Sequence, residues 1–183
     1  GGTSEIAVIS LGGIVKTSSF RVAGDRFDTT IIDYVRQKHN LLIGERTAEE
    51  IKKKIGAVMD LEEEECIEIS GRNALNGLPR DIKICSSEIV EALGDLVQQI
   101  IEEVKVILEK TPPELSSDIK RKGLYITGGG ALLRGIDKKI SENLNLNVTV
   151  SEDPLNSVIN GIQVLLKNFD VYKKVLISPE SDY

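Results

Sequence analysis

With 183 residues, 40% of them hydrophobic, the chain is long enough for one domain or two small lobes around a buried core. Its net charge of −6, from 23 basic and 29 acidic residues, argues against a nucleic-acid surface, and no apolar run approaches the roughly 20 residues of a membrane-spanning helix. The two cysteines, Cys66 and Cys85, lack metal-type spacing and accompany no signal-peptide pattern, so both are expected as thiols in a reducing cytosol. Without Trp and with a single His, His39, the chain is poorly supplied for base stacking or His-centred catalysis.

In chain order, Gly1-Gly2-Thr3-Ser4-Glu5 leads into Ile6-Ala7-Val8-Ile9-Ser10-Leu11, which reads as a central strand buried on both faces. The chain therefore starts inside a motif and reads as a piece of a longer protein. Gly12-Gly13 is the expected turn to a second strand, Ile14 to Val22. Asp25 then caps a helix carrying Phe27, Ile31, Tyr34 and Val35, and His39 lies near its C-terminal dipole. In the next helix Thr47 and Glu50 are spaced as a capping box, and Ile51, Ile55 and Val58 form an apolar stripe. The other face carries Glu49, Lys52 and Lys53; such faces are ordinarily solvated, and this one also has the groups to line a nucleotide's base and ribose.

Glu62 to Glu65 read as a solvated loop rather than a metal site. Cys66 to Ser70 and Asp81 to Cys85 alternate as the strands of a hairpin, and a turn centred near Leu75 and Asn76 sets Cys66 opposite Cys85. Ser86-Ser87 open the longest helix, lined by Ile89, Leu93, Leu96, Val97, Ile100, Val104, Ile107 and Leu108. Thr111-Pro112-Pro113-Glu114 ends it and starts a shorter one with Pro at its first position and a capping box. Leu124 to Thr127 is a strand running into Gly128-Gly129-Gly130-Ala131, then a helix from about Gly135 to Leu144, and a strand at Val148 to Val150. The last helix begins at Asp153-Pro154, with Leu155, Val158, Ile159, Ile162, Leu165 and Leu166 facing inward, and the polar tail from Ser178 is expected to fray.

A strand, a glycine turn and a helix start aim backbone N–H groups at one point, as a phosphate-bearing ligand requires. The glycine spacing fits a tight connection equally well, since neither the dinucleotide fingerprint nor the P-loop pattern is present. This order of elements suggests an α/β lobe made from both chain ends with a smaller lobe inserted between, roughly Phe27 to Lys110.

Gly1-Gly2-Thr3 resembles the end of the second phosphate loop of the actin, heat-shock chaperone and sugar kinase superfamily, and Thr127-Gly128-Gly129-Gly130 resembles its adenosine motif. Ile43-Gly44-Glu45-Arg46-Thr47-Ala48-Glu49, Gly77-Leu78-Pro79-Arg80 and Thr111-Pro112-Pro113-Glu114-Leu115 are more specific and together resemble the MreB/Mbl bacterial actins. The resemblance runs from Gly1 to about Asp170 and implies the C-terminal half of such a protein. The fold it implies is a ribonuclease H-like actin ATPase lobe, with residues 1–26 plus 111–183 as the lower lobe and 27–110 as an inserted upper lobe.

That resemblance also implies ATP with Mg²⁺ as cofactors of the full-length protein. Gly1, Gly2 and Thr3 would stand at the β/γ-phosphates, Glu49, Glu50, Lys52 and Lys53 beside ribose and adenine, and Gly128, Gly129, Gly130 and Ala131 under the α-phosphate and adenosine. No catalytic or metal-ligating residue is assigned, because the family's acidic residue before the second phosphate loop and its first phosphate loop are not among these residues. ATPase activity of the chain alone is accordingly expected to be negligible. Implied partners are further copies in a filament and membrane-bound cell-shape and cell-wall synthesis proteins, at the cytoplasmic face of the membrane and without an anchor in this segment. Alternatives are the ATPase segment of a superfamily sugar kinase or chaperone, and a partner-docking module without catalysis.

Overall fold

Three amphipathic helices supply most of the core, and each buries the stripe that its sequence spacing marks. In a computed structural model that describes residues 1–172, α1 (Gly24–His39) buries Phe27, Ile31 and Val35, and α2 (Glu45–Ile55) buries Ala48, Ile51 and Ile55. The long α3 (Ser86–Glu109) adds Ile89, Leu93, Leu96, Val97, Ile101, Val104 and Ile107. Ile101 rather than the expected Ile100 lies on the fully buried line of that helix. Apart from Val104 and Ile107, these residues form one continuous cluster with Leu41, Ile69, Ile82 and Ile84 from the adjoining sheet and Leu133, Ile136 and Ile140 from the C-terminal part.

The sheets are small. β1 (Ser4–Ser10) and β2 (Gly13–Phe20) form an antiparallel pair; β3 (Leu41–Leu42), β4 (Cys66–Asn73) and β5 (Pro79–Cys85) form a second sheet in that order. After α4 (Pro113–Lys122), β6 (Leu124–Ile126) and β7 (Val148–Val150) pair in parallel through the connecting α5 (Ile136–Leu144), a βαβ unit. Two helices, α6 (Ser157–Lys167) and α7 (Phe169–Tyr172), complete the described chain.

Several local expectations are corrected. The first turn is Leu11-Gly12, both at positive φ (51° and 76°), and Gly13 is the first residue of β2. That pair of angles is what a two-residue hairpin needs to match strand twist. β1 buries Val8 alone and leaves Ile9 exposed, so among the described residues it is an edge-paired strand and not a central one. The α1 cap is Ala23 and the α2 cap is Gly44, each without a side-chain cap, so Asp25, Thr47 and Glu50 act inside their helices.

At α3 the cap is Cys85, one residue before Ser86, and its backbone N–H donates to Glu88 Oε2 at 3.1 Å. Thr111 does not cap α4; its hydroxyl donates to the Ile107 carbonyl at 2.8 Å, satisfying the end of the preceding helix. Pro113 does occupy the first position of α4. On α6 and in the turn before it, the apolar residues Leu155, Val158, Ile159, Ile162 and Leu166 are exposed rather than inward. The periodicity marks an apolar face correctly and carries no information about what covers it. The tail expected to fray from Ser178 lies outside the described residues.

The two cysteines are also corrected. Cys66 pairs with Cys85 in register, as the turn position requires, and the two sulfurs are joined in a disulfide. The neighbouring bond from Ser86 N–H to the Glu65 carbonyl, 2.8 Å, marks a non-hydrogen-bonded pair, where strands approach most closely and the Cα atoms stand 4.0 Å apart. Glu64 brings a carboxylate into the same group, but sulfurs bonded to each other offer no thiolate ligand.

Leu93 is fully buried at the centre of α3. Leu93→Ala should lower unfolding free energy by about 2–5 kcal/mol, read as a lower urea midpoint at unchanged slope.

Candidate functional site

The first turn of α1 gathers segments from three parts of the chain. A helix start leaves its first N–H groups without an intrahelical partner, and here Asp25 N–H donates to the Gly1 carbonyl at 3.2 Å. The fit at Gly1 is close: a Cβ there would stand 2.6 Å from Asp25 Oδ1. Lys52, from α2, reaches back to the same turn, donating to the Gly24 carbonyl at 3.1 Å and to Asp28 Oδ2 at 2.7 Å. Both side chains of that pair are mostly buried, and Asp28 Oδ1 has no hydrogen-bond partner.

The second glycine turn meets the same helix two residues further on. Gly130 lies against Phe27, with a Cβ at that position 3.9 Å from Phe27 Cε2. Gly128 has φ 85° and ψ 172°, a region open essentially to glycine alone, which turns the chain from β6 into a short 3₁₀ turn over Gly129–Leu132. The Gly128 N–H is already committed to the Pro154 carbonyl at 2.9 Å, whereas Gly129 and Gly130 lie at the start of the turn with their N–H groups uncommitted to main-chain partners among the described residues. Ala131 is buried and anchors the loop from beneath. Thr127 ties its base to the opposite connection, with Oγ1 donating to Ser157 Oγ at 2.6 Å and accepting from Ser151 at 2.8 Å.

A strap links this loop to α2. Arg134 N–H donates to the Gly56 carbonyl at 3.1 Å and the Arg134 carbonyl accepts from Val58 N–H at 3.0 Å. Glycine is required at 56, because a Cβ there would fall 2.1 Å from the Lys52 carbonyl. The Arg134 guanidinium pairs with Glu65 at 2.9 Å, although its buried Nη1 is left without a partner.

On the outer face of α2, Glu49 pairs with Lys53 at 2.8 Å and Glu50 with Lys54 at 2.7 Å. Hydrogen bonds from those lysines hold both carboxyls below the ordinary glutamate range. Beside the first turn of α1 the arrangement offers uncommitted glycine amides and one mostly buried ammonium paired with Asp28, while the charged face of α2 stands apart. Such groups hold an anionic ligand by main-chain and charge contacts.

The MreB/Mbl protein family model matches residues 1–174. This chain belongs to the MreB/Mbl family. It is 49% identical to the cell shape-determining protein Mbl of Bacillus cereus over 170 residues, 93% of this chain and 51% of that protein. It is 48% identical to the cell shape-determining protein MreB of Escherichia coli K12 over 180 residues, 98% of this chain and 52% of that protein. The MreB/Mbl chain thus spans about half the length of the curated relatives it matches. The crystal structure of MreB5 of Spiroplasma citri bound to AMPPNP matches with TM-score 0.90 at 40% identity, covering 94% of this chain and 52% of that one. A MamK double helical filament structure matches with TM-score 0.76 at 23% identity over 91% of this chain and 52% of that chain, a likeness of fold. The fold is the actin-like α/β fold.

In this MreB/Mbl chain, then, Gly1 and Lys52 bond to the first turn of α1, Gly130 lies against the ring of Phe27 from that turn, and Gly2 and Thr3 are exposed. Glu49, Glu50 and Lys53 project along the outer face of α2 instead, engaged with helix neighbours. Sequence reasoning missed Asp28, whose partner lies 24 residues away and leaves no local spacing signal.

Lys52→Met should leave the Asp28 carboxylate mostly buried and unpaired, lowering stability by about 2 kcal/mol in urea unfolding. Adding Asp28→Asn should recover part of that loss. Because the folded values of Glu49 and Glu50 are depressed, their contribution is full above the ordinary carboxylate range and fades as pH falls. The Glu49→Gln, Glu50→Gln variant should therefore lose stability less steeply than the parent between about pH 5 and 3 in thermal melts.

Proposed function

We propose that this chain forms the C-terminal half of a bacterial actin that binds ATP and assembles into filaments directing cell-wall synthesis and rod shape. The observation that carries the reading is the approach of both glycine segments to α1, Gly1 bonded to Asp25 and Gly130 against the ring of Phe27. Supporting it are the membership in a family whose named relatives are cell shape-determining proteins and the AMPPNP bound to the similar MreB5 of Spiroplasma citri.

The residues present suit such a ligand. The exposed Gly1, Gly2 and Thr3 would take the β/γ-phosphates, and Gly128, Gly129, Gly130 and Ala131 the α-phosphate and adenosine side. Glu49, Glu50, Lys52 and Lys53 would flank ribose and adenine, with Lys52 entering from its contact with Gly24. Bound ATP with Mg²⁺ would supply the phosphoryl group and the charge that a facing wall must neutralise. The chain's own part is to seat the triphosphate on main-chain amides and to hold Lys52 in place through Asp28. In the same reading, residues 1–26 with 111–183 form a lower lobe and residues 27–110 an inserted upper lobe. Its place would be the cytoplasm, at the inner face of the membrane beside membrane-bound cell-wall synthesis proteins; among the described residues no helix is long and apolar enough to cross a membrane.

In the intact protein, ATP should drive sedimentable polymer, and Glu49→Ala with Lys53→Ala should weaken labelled-ATP binding about tenfold, equivalent to about 1.4 kcal/mol. The 183-residue chain by itself should turn over ATP negligibly, since in-line attack needs groups from both walls. Failure of the intact protein to bind ATP, or unchanged affinity in the variant, would refute the assignment of these residues.

A further inference from the structure

The cysteine pair stands apart from the nucleotide reading. Cys66 opens β4 and Cys85 closes β5, so their bond lies at the root of the hairpin, where β5 passes directly into α3. Both cysteines are half-buried and within reach of solvent. A disulfide with that access is exchangeable by an incoming thiolate, unlike one sealed in a core. In a reducing compartment it is reduced or oxidised according to the ambient thiol poise.

Its neighbours connect it to the rest of the fold. Cys85 is the N-cap of α3, where its backbone N–H binds Glu88; the other Glu88 oxygen meets His39 Nε2 at 2.6 Å, at the end of α1. On the other strand, Cys66 follows Glu65, whose carbonyl accepts from Ser86 N–H and whose carboxylate pairs with Arg134. Arg134 in turn bridges Gly56 and Val58, closing the strap between α2 and the second glycine turn. One covalent bond therefore joins the residue that caps α3 to the neighbour of Glu65, whose carboxylate meets the strap at Arg134.

We propose that Cys66 and Cys85 form a thiol–disulfide exchange site, taking dithiols as reductant, whose oxidised state tightens the hairpin root and the Glu65–Arg134 strap. In the reducing direction a dithiol thiolate attacks one sulfur, breaking the Cys66–Cys85 bond and forming a mixed disulfide. The second thiol of the reductant displaces it. The chain gains two electrons and two protons as two thiols, and the reductant leaves as its own disulfide. Oxidised glutathione reverses the step, leaving as two glutathione thiols.

The test uses the intact protein equilibrated with either dithiothreitol or oxidised glutathione, then alkylated, digested and weighed. Peptides holding Cys66 and Cys85 should be cross-linked and unalkylated after oxidation, and each singly alkylated after reduction, over repeated cycles. Amide exchange should show Ser86 and Val58 losing protection on reduction, and the melting temperature should fall by about 5–10 °C. In a Cys66→Ser, Cys85→Ser variant neither readout should respond to reductant. Alkylated thiols or glutathione adducts at both positions after oxidation would overturn the proposal, as would amide protection identical in the two states. None of these readouts depends on nucleotide, so they stand or fall separately from ATP binding.

Discussion

The packing of α1 between α2 and α3 is the constraint on which the other features rest. Phe27, Ile31 and Val35 are each at most 2% exposed, and they fix the helix axis relative to both neighbours. With the axis fixed, the N-terminal turn of α1 becomes a rigid platform. Gly1 and Lys52 bond to it and Gly130 lies against the ring of its Phe27, so three separate segments are referred to one packed helix.

Charge follows the same organisation. The Asp28–Lys52 pair lies at the edge of the core and is largely desolvated, so its value is in orienting the ammonium rather than in net stability. The exposed pairs Glu49–Lys53 and Glu50–Lys54 are helix-surface pairs of small worth to the fold. Membership in the MreB/Mbl family joins this platform to a known actin-like fold, while the chain covers about half of its relatives' length.

Much of the fold is legible before any coordinates. The stripes of α1, α2 and α3 follow from helical spacing, and the register that sets Cys66 opposite Cys85 follows from the turn position alone. Caps are less legible. Asp25, Thr47 and Ser86 have capping chemistry, but Ala23, Gly44 and Cys85 are where the backbone leaves helical angles, and tertiary contacts choose between adjacent positions. Glycine announces the turn after β6, since only glycine adopts the Gly128 conformation without strain.

The amino-acid order by itself determined the elements, their apolar faces, the glycine turns and the family, because these depend on local spacing and on motifs within a few residues. Only the tertiary structure decided that Asp28 partners Lys52, that both glycine segments approach α1, and that the two sulfurs are bonded. It also left the apolar side of α6 exposed among the described residues, where spacing alone pointed it inward. The physical reason is common to all four: periodicity describes a residue's own helix or strand, whereas a contact requires the position of a second segment, which is set by how the core closes.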